Sequence, residues 1–214
     1  MPMITAFETS PDRGAGLARD MRIRWALEET GQPYDVRLVT FEEMKEPAHL
    51  KLQPFGQIPT SEDDDLSMFE SGAIVFHIAE RHGELFPTDK ATRAKAISWM
   101  FAALNTVEPP IVERAYVRYI EAGKSWQAER LAMVDERIRT RLDQLAATLG
   151  KSEWLQAFSA ADILMVHVLR RLEGSGIIDE YPVVSDYITR ASERPAYKRA
   201  FEAQRDVSRK APSA

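Results

Sequence analysis

Residues 54–82 read PFGQIPTSEDDDLSMFESGAIVFHIAERH, and their pattern decides the fold. Gln57-Ile58-Pro59 opens a short strand with a proline, the acidic run Glu62-Asp63-Asp64-Asp65 breaks it, and Leu66-Ser67-Met68-Phe69 begins a second strand. Two short strands around a solvated turn predict a β-hairpin. Proline has no N–H to offer a central strand, so Pro59 belongs at a strand start or on a sheet edge. Its neighbouring main chain then stays free to pair with a peptide. Ile74, Val75, Ile78 and Ala79 follow at the spacing of one buried helical face, which makes Ser71 the expected N-cap. A helix start presents unpaired N–H groups and partial positive charge to a carboxylate, while Glu70 just outside it suits an ammonium group. Together they suit an amino-acid head group; alone, they equally suit a plain cap and a solvated strand end.

PFGQIP, an acidic turn and then FESGAI closely resembles the glutathione-site segment of the cytosolic glutathione transferase family. The resemblance implies a thioredoxin-like first domain, an all-helical second domain and glutathione as co-substrate. It gives Ile58, before a cis Pro59, the role of pairing its main chain with glutathione, and gives Glu70 and Ser71 the γ-glutamyl end. Gln57 and His49 are candidates for the glycyl end, although His49 reads equally as a surface residue.

The flanking sequence fits. Met3 to Phe7 alternates as a strand, and Thr9 to Gly16 is a loop rich in turn formers. Leu17 to Thr30 then turns helical until Gly31 and Pro33 stop it. YDVRLV, Tyr34 to Val39, is a second strand, so the first half contains a parallel βαβ unit. An irregular helix over 42–52, interrupted at Pro47, leads into the hairpin. The order βαβαββα is that of a thioredoxin-like fold, and we place the first domain at 1–83.

Phe86-Pro87-Thr88-Asp89 reads as a linker, and no strands are expected beyond it, so 90–214 is predicted all-helical. A long helix over 90–122, disturbed at Pro109-Pro110, precedes one from Ser125 to Leu149 with Leu131, Val134, Ile138, Leu142, Leu145 and Leu149 on one stripe. Ser159 and Asp162 form the pattern of a capping box, and the helix that follows, ILMVHVL, is apolar nearly all round. Two last short helices begin at Pro182 and Pro195, and Ser208 to Ala214 reads as a frayed tail.

The composition excludes several functions. The chain has 214 residues, a hydrophobic fraction of 44%, a net charge of −5 and no cysteine. It can bury a real core, and it has neither disulfides nor a protein thiol as nucleophile. It lacks the basic field that attracts nucleic acid. MPMITAFETS has no basic region followed by an apolar core, and no run approaches the ~20 apolar residues of a membrane span, so a cytoplasmic protein is expected. The four histidines are scattered, with no metal site readable among them, and Gly14-Ala15-Gly16 is a weak match to a dinucleotide loop.

Catalysis by glutathione needs its thiolate, and lowering a thiol pKa by two units takes roughly 2.7 kcal/mol of thiolate stabilisation. The family commonly places a Tyr, Ser or Cys after the first strand for this purpose, and here the chain departs from the pattern. An ungapped alignment of Arg19–Glu29 on similar bacterial members puts Ala18 at their serine. An alignment on Ser10-Pro11 leaves a longer loop behind it. Ser10 and Arg19 are the leading candidates for thiol activation, with Thr9, Arg13 and main-chain N–H groups behind them; Ser10 reads equally as a turn serine before proline and Arg19 as a solvated first-turn residue. The electrophile, a small and hydrophobic molecule, is expected near Phe101, Asn105, Glu108 and Tyr116, residues that read equally as core, and apolar faces on 71–82 and on the helix after residue 90 suggest a homodimer. The alternative is a non-catalytic glutathione-binding or protein-interaction member of the same fold.

Overall fold

The computed structural model describes residues 1–210 and divides into two compact units, one formed by Met1–Phe86 with the residues from Glu193 onward, the other by Pro87–Ser192.

The first unit is a four-stranded mixed sheet with helices. Strands β1 (Met3–Phe7), β2 (Asp35–Val39), β3 (Thr60–Asp63) and β4 (Leu66–Phe69) lie in the order β2-β1-β3-β4. β1 and β2 are parallel, joined through α1 (Asp20–Glu29), and β3 and β4 form the expected antiparallel hairpin. A 3-10 turn at Glu43–Lys45 and the short α2 (Pro47–Leu50) replace the irregular helix anticipated over 42–52. α3 (Ser71–His82) buries Ile74, Val75, Ile78 and Ala79 and ends at Gly83 in the left-handed conformation. This is the βαβαββα order of a thioredoxin-like fold.

α1 starts three residues later than its apolar pattern suggests, because loop 8–19 takes its own hydrogen bonds instead of extending the helix. It is buried from Asp20 to Leu27, charged side chains included. The cause is a helix the sequence placed elsewhere. α9 (Pro195–Lys210) packs on α1, with Trp25 edge-on to Tyr197 at 4.9 Å between ring centroids. Arg194 makes a two-point ion pair with Glu29 at 2.6 and 2.7 Å, and Arg199 bonds Glu28 at 2.6 Å. The terminal segment therefore belongs with the sheet unit and not with the helical unit that was expected to run over 90–214. α9 also carries the chain in helix through Lys210, where a frayed tail from Ser208 was expected; the remainder of that tail lies outside the described residues.

The second unit is all-helical. Residues 90–119 are not one disturbed helix but α4 (Lys90–Ala102), a π-helical turn over Ala103–Val107, and α5 (Glu108–Tyr119). Pro109 and Pro110 have no N–H for the carbonyls of Asn105 and Thr106, so the wider turn falls directly before them. α6 (Gln127–Leu149) buries Val134, Ile138, Leu142, Leu145 and Leu149 as its stripe predicts, leaving Leu131 half-buried. α7 (Ala160–Leu169) is buried at every position, packing on α4 and on α8 (Pro182–Ser192). Its capping box is present: Ser159 Oγ accepts from Ala161 N, and Asp162 Oδ2 accepts from Ser159 N at 2.9 Å.

Candidate functional site

The hairpin register brings the sequence candidates of the first unit together. Thr60 is opposite Phe69 in the β3–β4 ladder, so Ile58-Pro59 and Glu70-Ser71 emerge side by side from the same end of the hairpin. Pro59 directly precedes β3, an inner strand of the sheet, and the Ile58–Pro59 peptide bond is cis. Thr60 N donates to Thr5 Oγ1 at 2.7 Å, and the two threonine hydroxyls, both fully buried, lie 3.1 Å apart. These contacts fix the proline against β1. Ile58 is 7% exposed and packs with Val39, Met44 and Phe7, while its main chain makes no hydrogen bond among the described residues. The preceding glycine has a physical reason: Gly56 takes φ +63, and a Cβ there would meet the Met44 carbonyl at 3.2 Å.

Glu70, not Ser71, occupies the N-cap position of α3, and its side chain makes no cap hydrogen bond. It is exposed and takes φ 67, ψ 111, outside the regions that a residue with a Cβ ordinarily visits. The first helical hydrogen bond runs from Ile74 N to Glu70 O at 3.0 Å, which leaves the amides of Ser71, Gly72 and Ala73 ahead of it. Ser71 is the first helical residue and is buried. Its Oγ accepts from Arg22 Nη1 at 3.1 Å. Arg22, 1% exposed, is the part of this corner that the sequence reading missed. The signal was a pair of arginines, Arg22 and Arg24, alternating with apolar residues inside the buried stripe of α1, where a charged group has to meet a partner.

His49 and Gln57 are tied to each other. His49 is 6% exposed and its Nε2 lies 2.7 Å from the Gln57 carbonyl oxygen, so it supports the loop before Ile58 from within, whereas the Gln57 residue is exposed.

Loop 8–19 leaves the end of β1 that lies beside Ile58-Pro59, since β1 and β3 are antiparallel with Ile4 opposite Ser61. Asp12 organises it. The carboxylate accepts from Ser10 Oγ at 2.6 Å and from the main-chain N–H of Gly14 at 3.0 Å, Leu17 at 2.5 Å and Ala18 at 3.1 Å. Burial pushes Asp12 up, but these four donors outweigh it and hold the carboxyl below its ordinary value of 3.8. The Ser10 hydroxyl has one proton, and here it is directed to Asp12. Arg19, half-buried, sits at the N-cap position of α1 and is engaged with other groups; Thr9 and Arg13 are exposed, Arg13 at φ 54. Asp12 was legible in principle, because Asp two residues before Gly marks a turn closed by its own side chain.

A separate cavity of about 320 Å³ lies between α3 and the hairpin, lined by Leu27, Met68, Ile74, His77, Ile78 and Arg81 among others. None of the candidate residues faces it. Among the described residues no group of three or more His, Asp or Glu is arranged to hold a metal ion, and no helix is long and apolar enough to cross a membrane.

The family model for the glutathione S-transferase N-terminal domain matches residues 14–80. Glutathione S-transferase 1 of Zea mays is 30% identical over 197 residues, which covers 83% of this chain and 88% of that protein. The chain belongs to the glutathione S-transferase family. A glutathione transferase family member from Pseudomonas fluorescens pf-5, crystallised with two glutathione bound, superposes with TM-score 0.82 at 25% identity, covering 94% of this chain and 92% of that one. A glutathione transferase from Burkholderia graminis, with two glutathione molecules bound per subunit, gives TM-score 0.82 at 27% identity over 94% and 88% of the two chains.

In this glutathione S-transferase family member the residues expected at an electrophile site all lie in the helical unit. Phe101 and Tyr116 are 61% and 52% exposed, and Asn105 is exposed on the π-helical turn. Glu108 differs, being 6% exposed at the start of α5 and engaged with other groups, so it reads as part of the fold of that turn.

Proposed function

We propose that the chain is a glutathione transferase that joins the thiol of glutathione to a small, hydrophobic electrophile. The observation that carries this reading is the side-by-side emergence of an unpaired Ile58 main chain before Pro59 and the open helix start at Glu70-Ser71. The first suits the peptide of a cysteinyl residue, which adds as a strand. The second suits the γ-glutamyl head group: its carboxylate at the α3 amides and Ser71, its ammonium at the exposed Glu70 carboxylate. The glutathione bound in the related crystal structures supports it. Gln57 serves the glycyl end, and His49 acts by holding the Gln57 carbonyl. Thiol activation belongs to loop 8–19, with Ser10 and Arg19 as the side chains of interest. Phe101, Asn105 and Tyr116 are the proposed contacts for the electrophile. We further propose a cytoplasmic homodimer, consistent with exposed apolar residues such as Phe55 and Tyr119.

A second reading has one specific observation in its favour. With the Ser10 proton on Asp12, the hydroxyl expected to steady a thiolate has another acceptor, which fits a member that binds glutathione without using it. Retention on immobilised glutathione followed by a thiol-conjugation assay over a panel of electrophiles separates the two. Retention with turnover supports the transferase, retention without turnover of any electrophile supports the binding protein, and absence of both rejects the glutathione reading.

A further inference from the structure

The last helix reaches into the loop to which we give thiol activation. Gln204, buried in α9, donates from Nε2 to the main-chain oxygen of Ala18 at 3.3 Å and to Asp20 Oδ1 at 2.8 Å. The other oxygen of Asp20 accepts from Arg24 Nε at 2.8 Å, with both side chains almost wholly out of solvent. Ala18 in turn gives its amide to Asp12 Oδ2 at 3.1 Å, and Asp12 Oδ1 holds the Ser10 hydroxyl at 2.6 Å. One path of direct contacts therefore runs from Gln204 through Ala18 and Asp12 to Ser10, all of it within a single compact unit.

Stability alone does not select this arrangement. A buried ion pair is often no better than apolar side chains of equal volume, and here Arg24 Nη2 and Gln204 Oε1 remain buried without hydrogen-bond partners among the described residues. What the polar cluster supplies is register. The ion pairs of Arg194 with Glu29 and Arg199 with Glu28 hold the C-terminal end of α1, whereas the donor shared between Ala18 O and Asp20 holds its other end and fixes where the loop stops and the helix begins.

We infer that Gln204 is a positioning residue for thiol activation, holding Ala18 and the first turn of α1 from behind so that loop 8–19 as a whole keeps its place near Ile58-Pro59. The inference rests on the reading of loop 8–19 as the activating loop. It differs from a stabilising role because the Gln204 side chain itself bonds only Ala18 and Asp20 among the described residues and none of Ile58, Glu70 and Ser71.

The test is Gln204→Met, which keeps the volume and removes the donor, with Gln204→Leu in reserve should the first variant fail to fold. Amide exchange at Gly14, Leu17 and Ala18 should accelerate about tenfold while amides of α7 are unchanged. The thiol pKa of bound glutathione, read by ultraviolet titration, should rise by about one unit, with kcat at pH 6.5 falling about tenfold. KM for glutathione should stay within about twofold, since the binding contacts are intact. Unchanged exchange at all three amides overturns the inference. So does acceleration that extends to α7, or an equal loss in KM, because either marks general loosening. Failure of the wild type to retain glutathione would sink the functional reading instead, and the exchange data would still judge the link from Gln204 to the loop.

Discussion

Two loops in this protein are gathered by one aspartate each, and they behave as opposites. In the helical unit, Asp162 accepts from Leu155 N at 3.1 Å, Ser159 N at 2.9 Å, Ser159 Oγ at 3.1 Å and Tyr187 Oη at 2.8 Å. In the sheet unit, Asp12 accepts from one hydroxyl and three main-chain amides, where Asp162 accepts from two of each. The donors are alike in kind; the surroundings are not. Asp162 is 0% exposed inside the helical core, and burial pushes its carboxyl above 3.8 in spite of the donors. Asp12 remains half-buried, so solvent shares in stabilising its charge and the donors prevail. The comparison separates a carboxylate that builds a core from one that shapes a loop at the surface, where function is ordinarily placed.

Replacing Asp162 should have the largest effect. Asp162→Ala strands Leu155 N, Ser159 N and the Tyr187 hydroxyl in the core and should lower stability by about 3–4 kcal/mol. Urea denaturation measures it, and a loss within about 1 kcal/mol of wild type would remove the distinction between the two loops.

A third carboxylate, Glu70, sharpens the contrast because it sits at a helix start and gathers no protein amide there. Glu70→Ala and Ser71→Ala should each weaken glutathione binding by roughly 1.5–3 kcal/mol, the scale of a lost charge-assisted hydrogen bond, with folding changed less. Calorimetry showing wild-type affinity in both variants would reduce this corner to an ordinary helix start.

Asp12→Ala should come next, at about 1–2 kcal/mol of stability, since it leaves the amides of buried Gly14 and Ala18 and half-buried Leu17 without their acceptor, in a loop that is free to rearrange toward solvent where a core is not. Its effect on glutathione turnover should exceed its effect on folding. A variant that turns over glutathione as wild type does would detach loop 8–19 from the chemistry.

Legibility in the sequence follows the same division. The capping box at Ser159 and Asp162 could be read because its partners stand at a fixed short spacing, and the hairpin and the α3 stripe could be read because strand and helix periods are local rules. The turn from Asp12 to Gly14 is equally local, but the bonds of Asp12 to Leu17 and Ala18, five and six residues on, are set by an irregular loop. Arg22 on Ser71 and Gln204 on Ala18 join residues 49 and 186 positions apart, which no local pattern specifies. For the same reason α9 could be recognised as a helix while its return to the sheet unit could not. The wider turn over Ala103–Val107 shows a rule read with the right cause and the wrong place: the prolines disturb the turn whose carbonyls they fail to serve, not their own.

The smallest expected effect is also the most direct test of the two carboxylates. A carboxyl whose folded pKa is depressed contributes stability that is present above its unfolded value and is lost as pH falls through the folded value; one whose folded pKa is raised does the reverse, because the folded state takes up the proton first. Asp12 lies on the first side of 3.8, and Asp162 on the second. On lowering the pH from neutrality, the Asp162 region should therefore take up its proton above 3.8 while loop 8–19 still holds, and the Gly14, Leu17 and Ala18 amides should lose protection only below 3.8, as Asp12 protonates. Carbon-detected titration of the two side-chain carboxyl resonances reads both midpoints in one sample. The order is the decisive quantity: burial must win over the donors at Asp162 and lose to them at Asp12. A midpoint for Asp12 above that of Asp162 would mean that the hydrogen bonds to Ser10 and the loop amides are too weak to organise the loop, and the path from Gln204 to Ser10 would lose its middle link.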